Sequence, residues 1–191
     1  MDVGKDWRVF LIQLAFAREY PMAYQVSSPG LATRNPILES ILPSLLYIKM
    51  AALMDGALEE YIAANQLQPG KRYRADFNGR INFCSDSGFI NNGADLHGVR
   101  TMRNDTAHKP LASVDWDELD RDIVHVHRAL KQLGFVGERP EFRVEAERSA
   151  FRQSDEPGIL GSRDYSVRVM HGDKKAAEFK WGETLHDDPA S

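Results

Sequence analysis

Apolar residues follow a helical period along most of the chain and an alternating pattern near its end. In the N-terminal segment they recur at intervals of three and four residues, at Trp7, Phe10, Leu11 and Leu14. This spacing predicts an amphipathic helix near residues 5–19 that is closed by Pro21. The longest apolar-periodic stretch, residues 37–64, predicts the central helix of the core, with Pro36 at its first helical position and a kink or restart at Pro43.

Three shorter helices are expected after this central one. The first lies around residues 80–87, and the second covers residues 94–108 and ends there because Pro110 restricts the residue before it. The third begins at Asp115, which Glu118 follows three residues later as in a capping box. All five helices precede residue 137.

Beyond Gly137 the helical period is lost and apolar residues alternate with polar ones. The alternating positions form two runs, Tyr165, Val167 and Val169, and then Ala177, Phe179 and Trp181. The turn-forming stretch "HGDKK" separates the runs, so a hairpin or small antiparallel sheet is expected. The pattern therefore predicts a mainly α chain, with a helical bundle over residues 1–137 and a β-rich extension over residues 138–191.

Composition narrows the class of protein. Hydrophobic residues make up 42% and charged residues 27% of 191 residues, which is typical of a soluble globular protein. The net charge of -4 provides no global attraction for nucleic acid, so any contact with phosphate must be local. The apolar run over residues 9–17 is too short to span a membrane, and we expect a cytoplasmic protein with no membrane contact.

The sequence offers no convincing metal or cofactor site. Cys84 is the only cysteine, so it forms no internal disulfide, and no clustered Cys and His residues are present to hold zinc. His125 and His127 lie about 200° apart on their helix and cannot face one ion. We therefore expect no metal and no cofactor, and a structural or surface role for these two histidines.

The stretch "HGVRTMRNDTAHKP", residues 97–110, concentrates the residues with chemical potential. On a helical wheel one stripe consists of Leu96, Val99, Arg103 and Ala107. Arg103 thus occupies a position expected in the core, where an unpaired charge would cost several kcal/mol. Its partner is expected to be Asp55 or Glu59 of the long helix, or a phosphate of a ligand.

A polar stripe runs beside the apolar one. It consists of His97, Thr101, Asn104 and His108, with Arg100 between the two stripes. His108 lies in the last turn, where the helix dipole favours the imidazolium form and proton transfer near neutral pH. Arg103 is suited to clamp a phosphate, and Asn104 to orient that phosphate or His108. Spacing alone also allows a structural role, in which Arg103 pairs with a core carboxylate while His108 and Asn104 satisfy backbone carbonyls.

These residues resemble a known signature. "RNDTAH" is similar to the R-x4-6-H motif of the HEPN superfamily, in which a polar residue, commonly asparagine, follows the arginine; Arg103, Asn104 and His108 match the three positions. The order of elements also agrees, because a long helix with an acidic tip and a variable loop precede the motif helix, and an amphipathic helix follows it. The resemblance covers roughly residues 37–134.

The resemblance implies a helical bundle that dimerises, so that two motif helices form one composite cleft. Many members are metal-independent endoribonucleases of toxin-antitoxin, phage-defence and stress systems. It assigns proton transfer to His108, stabilisation of the phosphorane charge to Arg103 and support to Asn104. His97, Arg100 and Thr101 remain supporting candidates for binding the RNA substrate, and an antitoxin or regulatory protein is a possible further partner.

Two features depart from the family pattern. Members regulated by nucleotidylation have a tyrosine two positions after the motif histidine, where this chain has Pro110, so that regulation is not expected. The β-rich extension is not part of the minimal bundle; its basic residues alternate with aromatic ones as on a nucleic-acid surface, but acidic neighbours favour a solvated face. The acidic net charge and the extension keep open an alternative, a non-catalytic HEPN module that binds nucleotide, RNA or a protein.

Overall fold

The structure, a computed structural model, describes residues 1–27, 36–109, 112–157 and 159–186. This part contains five helices, α1 (Val3–Ser27), α2 (Pro36–Ala64), α3 (Phe77–Asp86), α4 (Gly93–His108) and α5 (Trp116–Gln132). Four strands follow, β1 (Arg143–Arg148), β2 (Arg152–Gln153), β3 (Ile159–His171) and β4 (Lys174–His186). The chain is therefore mainly α with a small antiparallel sheet after the helices, as the sequence predicts.

The chain forms two compact units. The helical unit comprises Met1–Phe10 and Pro36–Arg139, and the sheet unit comprises Leu11–Asn35 and Pro140–Ser191. The second boundary falls close to the division expected at residue 137. The grouping of residues 11–35 with the sheet is not foreseen by that division, which places the whole N-terminal helix in the bundle.

Helix α2 provides the core of the helical unit. Its side chains Tyr47, Met50, Met54 and Leu58 are fully buried, as are Leu119, Ile123, Val126 and Leu130 of α5. Burying each such side chain stabilises the fold by roughly 1.5–3 kcal/mol. The segment Ile41–Ala64 is long and apolar enough to cross a membrane by length and composition, a test that the core helix of a soluble protein also passes.

Neither proline inside the first two helices ends its helix. Helix α1 continues through Pro21 to Ser27, so the prediction that Pro21 closes it is wrong. Helix α2 begins at Pro36 as predicted and runs through Pro43 as one helix. A proline removes one backbone hydrogen bond, but its fixed φ is close to the helical value, so the helix can continue on both sides.

Side-chain caps set the starts of α3 and α5. Asp76 accepts a hydrogen bond from the Gly79 backbone N–H at 2.8 Å, and α3 therefore begins at Phe77, before the predicted start near residue 80. The predicted capping box at α5 is confirmed, because Asp115 accepts from the Glu118 N–H at 2.8 Å and Glu118 accepts from the Asp115 N–H at 3.2 Å. Such caps contribute about 1 kcal/mol each.

Strand β3 is the centre of the sheet. It pairs along its length with β4 on one side, and with β1 and β2 on the other. The predicted hairpin is confirmed, since Tyr165 lies opposite Trp181 and Val167 opposite Phe179, and the turn contains Gly172 at a φ of 56°. The ring of Phe16 from α1 lies 4.2 Å from that of Phe179, so α1 covers this apolar face within the sheet unit.

The opposite face of the sheet carries a cluster of ion pairs around Glu178. Glu178 lies within ion-pair distance of Lys175 (2.8 Å), Arg168 (3.3 Å) and Lys180 (3.5 Å), and it accepts a hydrogen bond from Ser166 (3.2 Å). The hydrogen bond from Lys175, followed by those from Arg168 and Ser166, lowers the pKa of Glu178 to about 2. Successive residues of a strand point to opposite faces, so these cations lie away from the aromatic rings. The arrangement favours a solvated face over a nucleic-acid surface.

His127 packs against the first helix in its neutral form. Trp7 Nε1 donates to His127 Nδ1 at 3.1 Å, and the two rings stack at 5.9 Å between centroids. Burial, then the charges of Arg139 and Lys131, lower the pKa of His127 below its ordinary value of 6.5. A proton on Nδ1 would also remove the acceptor that Trp7 uses.

We therefore expect acid to destabilise the fold through His127. As the pH falls from 7 to 5, His127 is protonated more readily in the unfolded chain than in the folded chain, because its pKa is lower in the folded chain. Protonation therefore favours unfolding, and the melting temperature should fall. In His127→Asn, whose amide oxygen replaces the Nδ1 acceptor without titrating, the fall should be smaller. The exposed His171→Asn variant is the control, and identical pH profiles for wild type and His127→Asn would contradict the prediction.

Candidate active site on helix α4

The beginning of α4 is anchored on α5. Asn92 precedes the helix and is 4% exposed; its amide donates to the backbone oxygen of His125 at 2.9 Å. The Nδ1 atom of His125 also lies 3.1 Å from a carboxylate oxygen of Asp95. At the other end, α4 stops at His108 as predicted, with Lys109 in an extended conformation (φ -104°, ψ 122°) that suits a residue before proline. Pro110 itself lies outside the described residues.

The second half of α4 lies outside the core. Leu96 and Val99 are fully buried, but no residue from Arg100 to Lys109 is. The prediction that the buried stripe continues through Arg103 and Ala107 is wrong, because Arg103 is half-buried and Ala107 is exposed. Burial of an unpaired guanidinium is costly, which explains why the last two turns stay at the surface.

Arg103 is paired with its neighbour Asn104. Its Nη1 atom donates to Asn104 Oδ1 at 2.9 Å. The partners expected from the sequence, Asp55 and Glu59, bind Arg80 instead, at 2.7 Å and 3.0 Å. Among the described residues Arg103 has no ion pair, so the alternative in which it pairs with a core carboxylate does not hold in this structure.

Arg100 shares this lack of a carboxylate partner. Its Nη2 atom lies 3.4 Å from Thr101 Oγ1, and its Nε atom is buried without a hydrogen-bond partner in the described part of the chain. Several other arginines have carboxylate partners, for example Arg121, whose Nε atom lies 3.1 Å from Asp122. Residues three apart on a helix are neighbours, so Arg100 and Arg103 place two uncompensated guanidinium groups on one side of α4. Such a pair can bind an anionic ligand.

His97 joins α4 to α3. Its Nε2 atom lies 2.9 Å from Asn82 Oδ1, and burial together with the charge of Arg100 lowers the pKa of His97 below 6.5. The neutral ring therefore donates to Asn82 at neutral pH. No pattern along the chain indicates Asn82, because contacts between different helices do not show in the periodicity. His97 is held by packing, whereas Thr101 is exposed.

His108 is exposed in the last turn of α4. It lies one helical turn after Asn104 and thus on the same side of the helix. The structure brings Arg103 and Asn104 into contact, and among the described residues no hydrogen bond joins either of them to His108. An exposed imidazole can exchange a proton with a bound substrate, while a guanidinium beside it can stabilise negative charge.

A buried polar pair in the helical unit was not predicted. Tyr47 of α2 donates a hydrogen bond to Asp122 of α5, which is 7% exposed and also accepts from Arg121 Nε at 3.1 Å. Burial, and then the bond to Asp122, raise the pKa of Tyr47. The sequence feature that could have indicated this pair is Asp122, an acidic residue that directly precedes Ile123 among the buried positions of α5. This pair ties α2 to α5, which also anchors the start of α4.

Within the described residues, no group of three His, Cys, Asp or Glu side chains is placed to hold a metal ion. Comparison with protein-family profiles, with curated proteins and with solved structures finds no match for this chain. The features that bear on function are therefore the side chains of α4 and the resemblance of "RNDTAH" to the HEPN motif.

Proposed function

We propose that this chain is a cytoplasmic endoribonuclease of the HEPN type that acts as a homodimer without a metal ion. The observation that carries the proposal is the uncompensated charge on α4. Arg103 is bonded to Asn104 at 2.9 Å and to no carboxylate among the described residues, and the exposed His108 follows one turn later. A phosphodiester supplies the missing anion.

The reaction requires only groups that α4 presents. A base removes the proton from the ribose 2′-hydroxyl, whose oxygen attacks the adjacent phosphorus, and the bond from phosphorus to the 5′ oxygen breaks as an acid protonates that oxygen. His108 serves as base or acid, Arg103 stabilises the charge on the phosphorane oxygens, and Asn104 holds the guanidinium in place. The products are a 2′,3′-cyclic phosphate and a 5′-hydroxyl end.

Dimerisation would supply a second copy of each group. From Met102 to Thr106 every residue of α4 is half-buried and none is fully buried, so this half of the helix is available to another chain. Two facing α4 helices would provide one His108 as base and the other as acid. Such an enzyme would act in a toxin-antitoxin, phage-defence or stress system, with an antitoxin or regulatory protein as partner.

Cleavage of RNA in the presence of EDTA tests the proposal. We expect the full chain to cut a labelled single-stranded RNA of mixed sequence, to leave 2′,3′-cyclic phosphate ends, and to spare a DNA of the same sequence, which lacks the attacking hydroxyl. The rate per molecule should rise as dilute protein is concentrated into dimers. Intact RNA under all conditions would refute the proposed activity. Equal cleavage of the DNA would refute the proposed attack by the ribose 2′-hydroxyl.

Within the part of the chain that the structure describes, no hydrogen bond joins His108 to Arg103, and this favours a second candidate, a non-catalytic module that binds nucleotide, RNA or a protein through the same helix. This candidate predicts that RNA is retained by the protein but remains intact, and that Arg103→Ala weakens binding while His108→Ala does not. A nuclease requires both residues for cleavage.

A further inference from the structure

A cleft of about 350 Å³ lies in the helical unit beside α3, and none of the residues assigned to cleavage lines it. Its walls come from the end of α2, from the loop that precedes α3, and from Gly79, Arg80 and Phe83 of α3 itself. Asn82, which contacts His97 of α4, does not line it. The volume is at the lower end of the range for small-molecule sites and suits one nucleotide-sized ligand.

The loop that forms one wall is held in place. Tyr73 donates to Asp86 at 2.9 Å, and the guanidinium of Arg72 lies 4.5 Å above the Tyr73 ring. The backbone oxygen of Arg74 approaches α3 so closely that a Cβ at Gly79 would lie 1.9 Å from it. A wall fixed in this way loses little conformational entropy when a ligand binds.

The lining combines an apolar surface with a few polar groups. Ile62, Pro69 and Phe83 provide the apolar surface. Glu59 contributes a carboxylate that is 66% exposed, and one of its oxygens is fixed by Arg80 at 3.0 Å. Arg74 is 82% exposed and engages Asp76 through its Nε atom at 3.1 Å, which leaves the outer edge of its guanidinium towards solvent.

We propose that this cleft binds a guanine nucleotide, either free or as one unit of an RNA strand. The apolar part of the lining, which includes Phe83, accepts a base, since stacking of a base on aromatic and apolar side chains stabilises binding for any base. The carboxylate of Glu59 selects guanine, because the N1–H and N2–H₂ groups of guanine are adjacent donors and a carboxylate has two acceptor oxygens. Each oxygen can accept more than one hydrogen bond, so the oxygen that Arg80 binds is still an acceptor. Adenine and uracil each present an acceptor at the corresponding edge.

Arg74 is placed to contact the phosphate. Its outer guanidinium nitrogens can donate two parallel hydrogen bonds to a phosphate, whereas a nucleoside lacks this group. Arg80 does not serve this purpose, because its two terminal nitrogens are occupied by Asp55 and Glu59. The site therefore recognises the base through Glu59 and the phosphate through Arg74, and the proposal does not depend on RNA cleavage.

Titration of the full chain with guanosine 5′-monophosphate, followed by NMR or calorimetry, tests the assignment. We expect saturable binding that is about fivefold or more weaker for adenosine 5′-monophosphate and in Glu59→Gln, since each good bidentate contact to a base discriminates by about that factor or more. The Arg74→Ala variant should bind the nucleotide more weakly than the wild type does, but it should bind guanosine, which has no phosphate, with unchanged affinity. Arg128→Ala, an exposed arginine on α5, is the matched control.

Binding of short RNAs to the His108→Ala variant distinguishes a free nucleotide ligand from a nucleotide that is part of an RNA strand. If the natural ligand is part of an RNA strand, an RNA containing guanine should bind more tightly than the mononucleotide and lose this advantage in Glu59→Gln; if it is free nucleotide, the mononucleotide should bind at least as well. The inference fails if guanosine 5′-monophosphate does not saturate, or if Glu59→Gln, shown to be folded by circular dichroism, binds it as tightly as wild type. Loss of RNA cleavage alone would leave this result unaffected.

Discussion

Replacing His108 with alanine is expected to lower the rate of RNA cleavage by about 100- to 10,000-fold, the contribution typical of a general acid or base. Arg103→Ala should lower it by about 100- to 1,000-fold, because the phosphorane charge loses its donor. Both side chains lie outside the core, so melting temperatures should stay close to that of the wild type. Rates are measured under single-turnover conditions, which separate chemistry from product release.

Control substitutions outside α4 show whether the loss of RNA cleavage is specific to Arg103 and His108. His171→Ala removes an exposed histidine at the β3–β4 turn, and Arg128→Ala removes an exposed arginine of α5; both should cut RNA at the wild-type rate. Mixing Arg103→Ala with His108→Ala should restore part of the activity if two chains share one cleft, since one composite site then regains a copy of each residue. Equal cleavage by the wild type and both α4 variants would assign the activity to a contaminant.

Replacing Tyr47 with phenylalanine is expected to reduce the free energy of unfolding by about 2 kcal/mol, because Asp122 would stay buried without its tyrosine donor. For a chain of this size the loss corresponds to a fall of about 4–8 °C in melting temperature. Arg121 remains as a second donor to the carboxylate, which limits the effect. Chemical denaturation followed by circular dichroism measures it.

A double variant shows whether the loss comes from the pair. In Tyr47→Phe with Asp122→Leu both polar groups are gone, and replacing both partners by apolar groups can be nearly neutral. The double variant should therefore be less destabilised than the sum of the two single variants. Strict additivity would show that the Tyr47 hydroxyl and the Asp122 carboxylate do not interact.

The local elements of the fold were predictable because they rest on short-range rules. Residues near in sequence determine the capping box of Asp115 and Glu118, the end of α4 at His108 and the hairpin between β3 and β4. The helical course of α1 through Pro21 was not predicted, since a proline signals a break only on average. The assignment of residues 11–35 to the sheet unit depends on long-range contacts that periodicity does not encode.

The site was predictable only in part for the same reason. A helical wheel placed Asn104 and His108 on one side of α4, but it gave Arg103 a core position and a partner in Asp55 or Glu59. Both carboxylates bind Arg80, a residue of α3 that the wheel of α4 cannot include. Competition between two arginines for one pair of acids is decided by three-dimensional packing, and it leaves Arg103 without an acid among the described residues.

The charged face of the sheet makes the stability of the sheet unit depend on pH and salt concentration in different ways. Because the pKa of Glu178 is about 2, its carboxylate stays ionised through mild acid, and its contribution to stability is lost only as the pH falls from the ordinary value of 4.5 through that of the folded chain. Dissolved salt acts differently, since at about 1 M the screening length shrinks to about 3 Å, comparable to the distances around Glu178. Above about pH 4.5, ionic strength rather than acidity is therefore the variable to which this face responds.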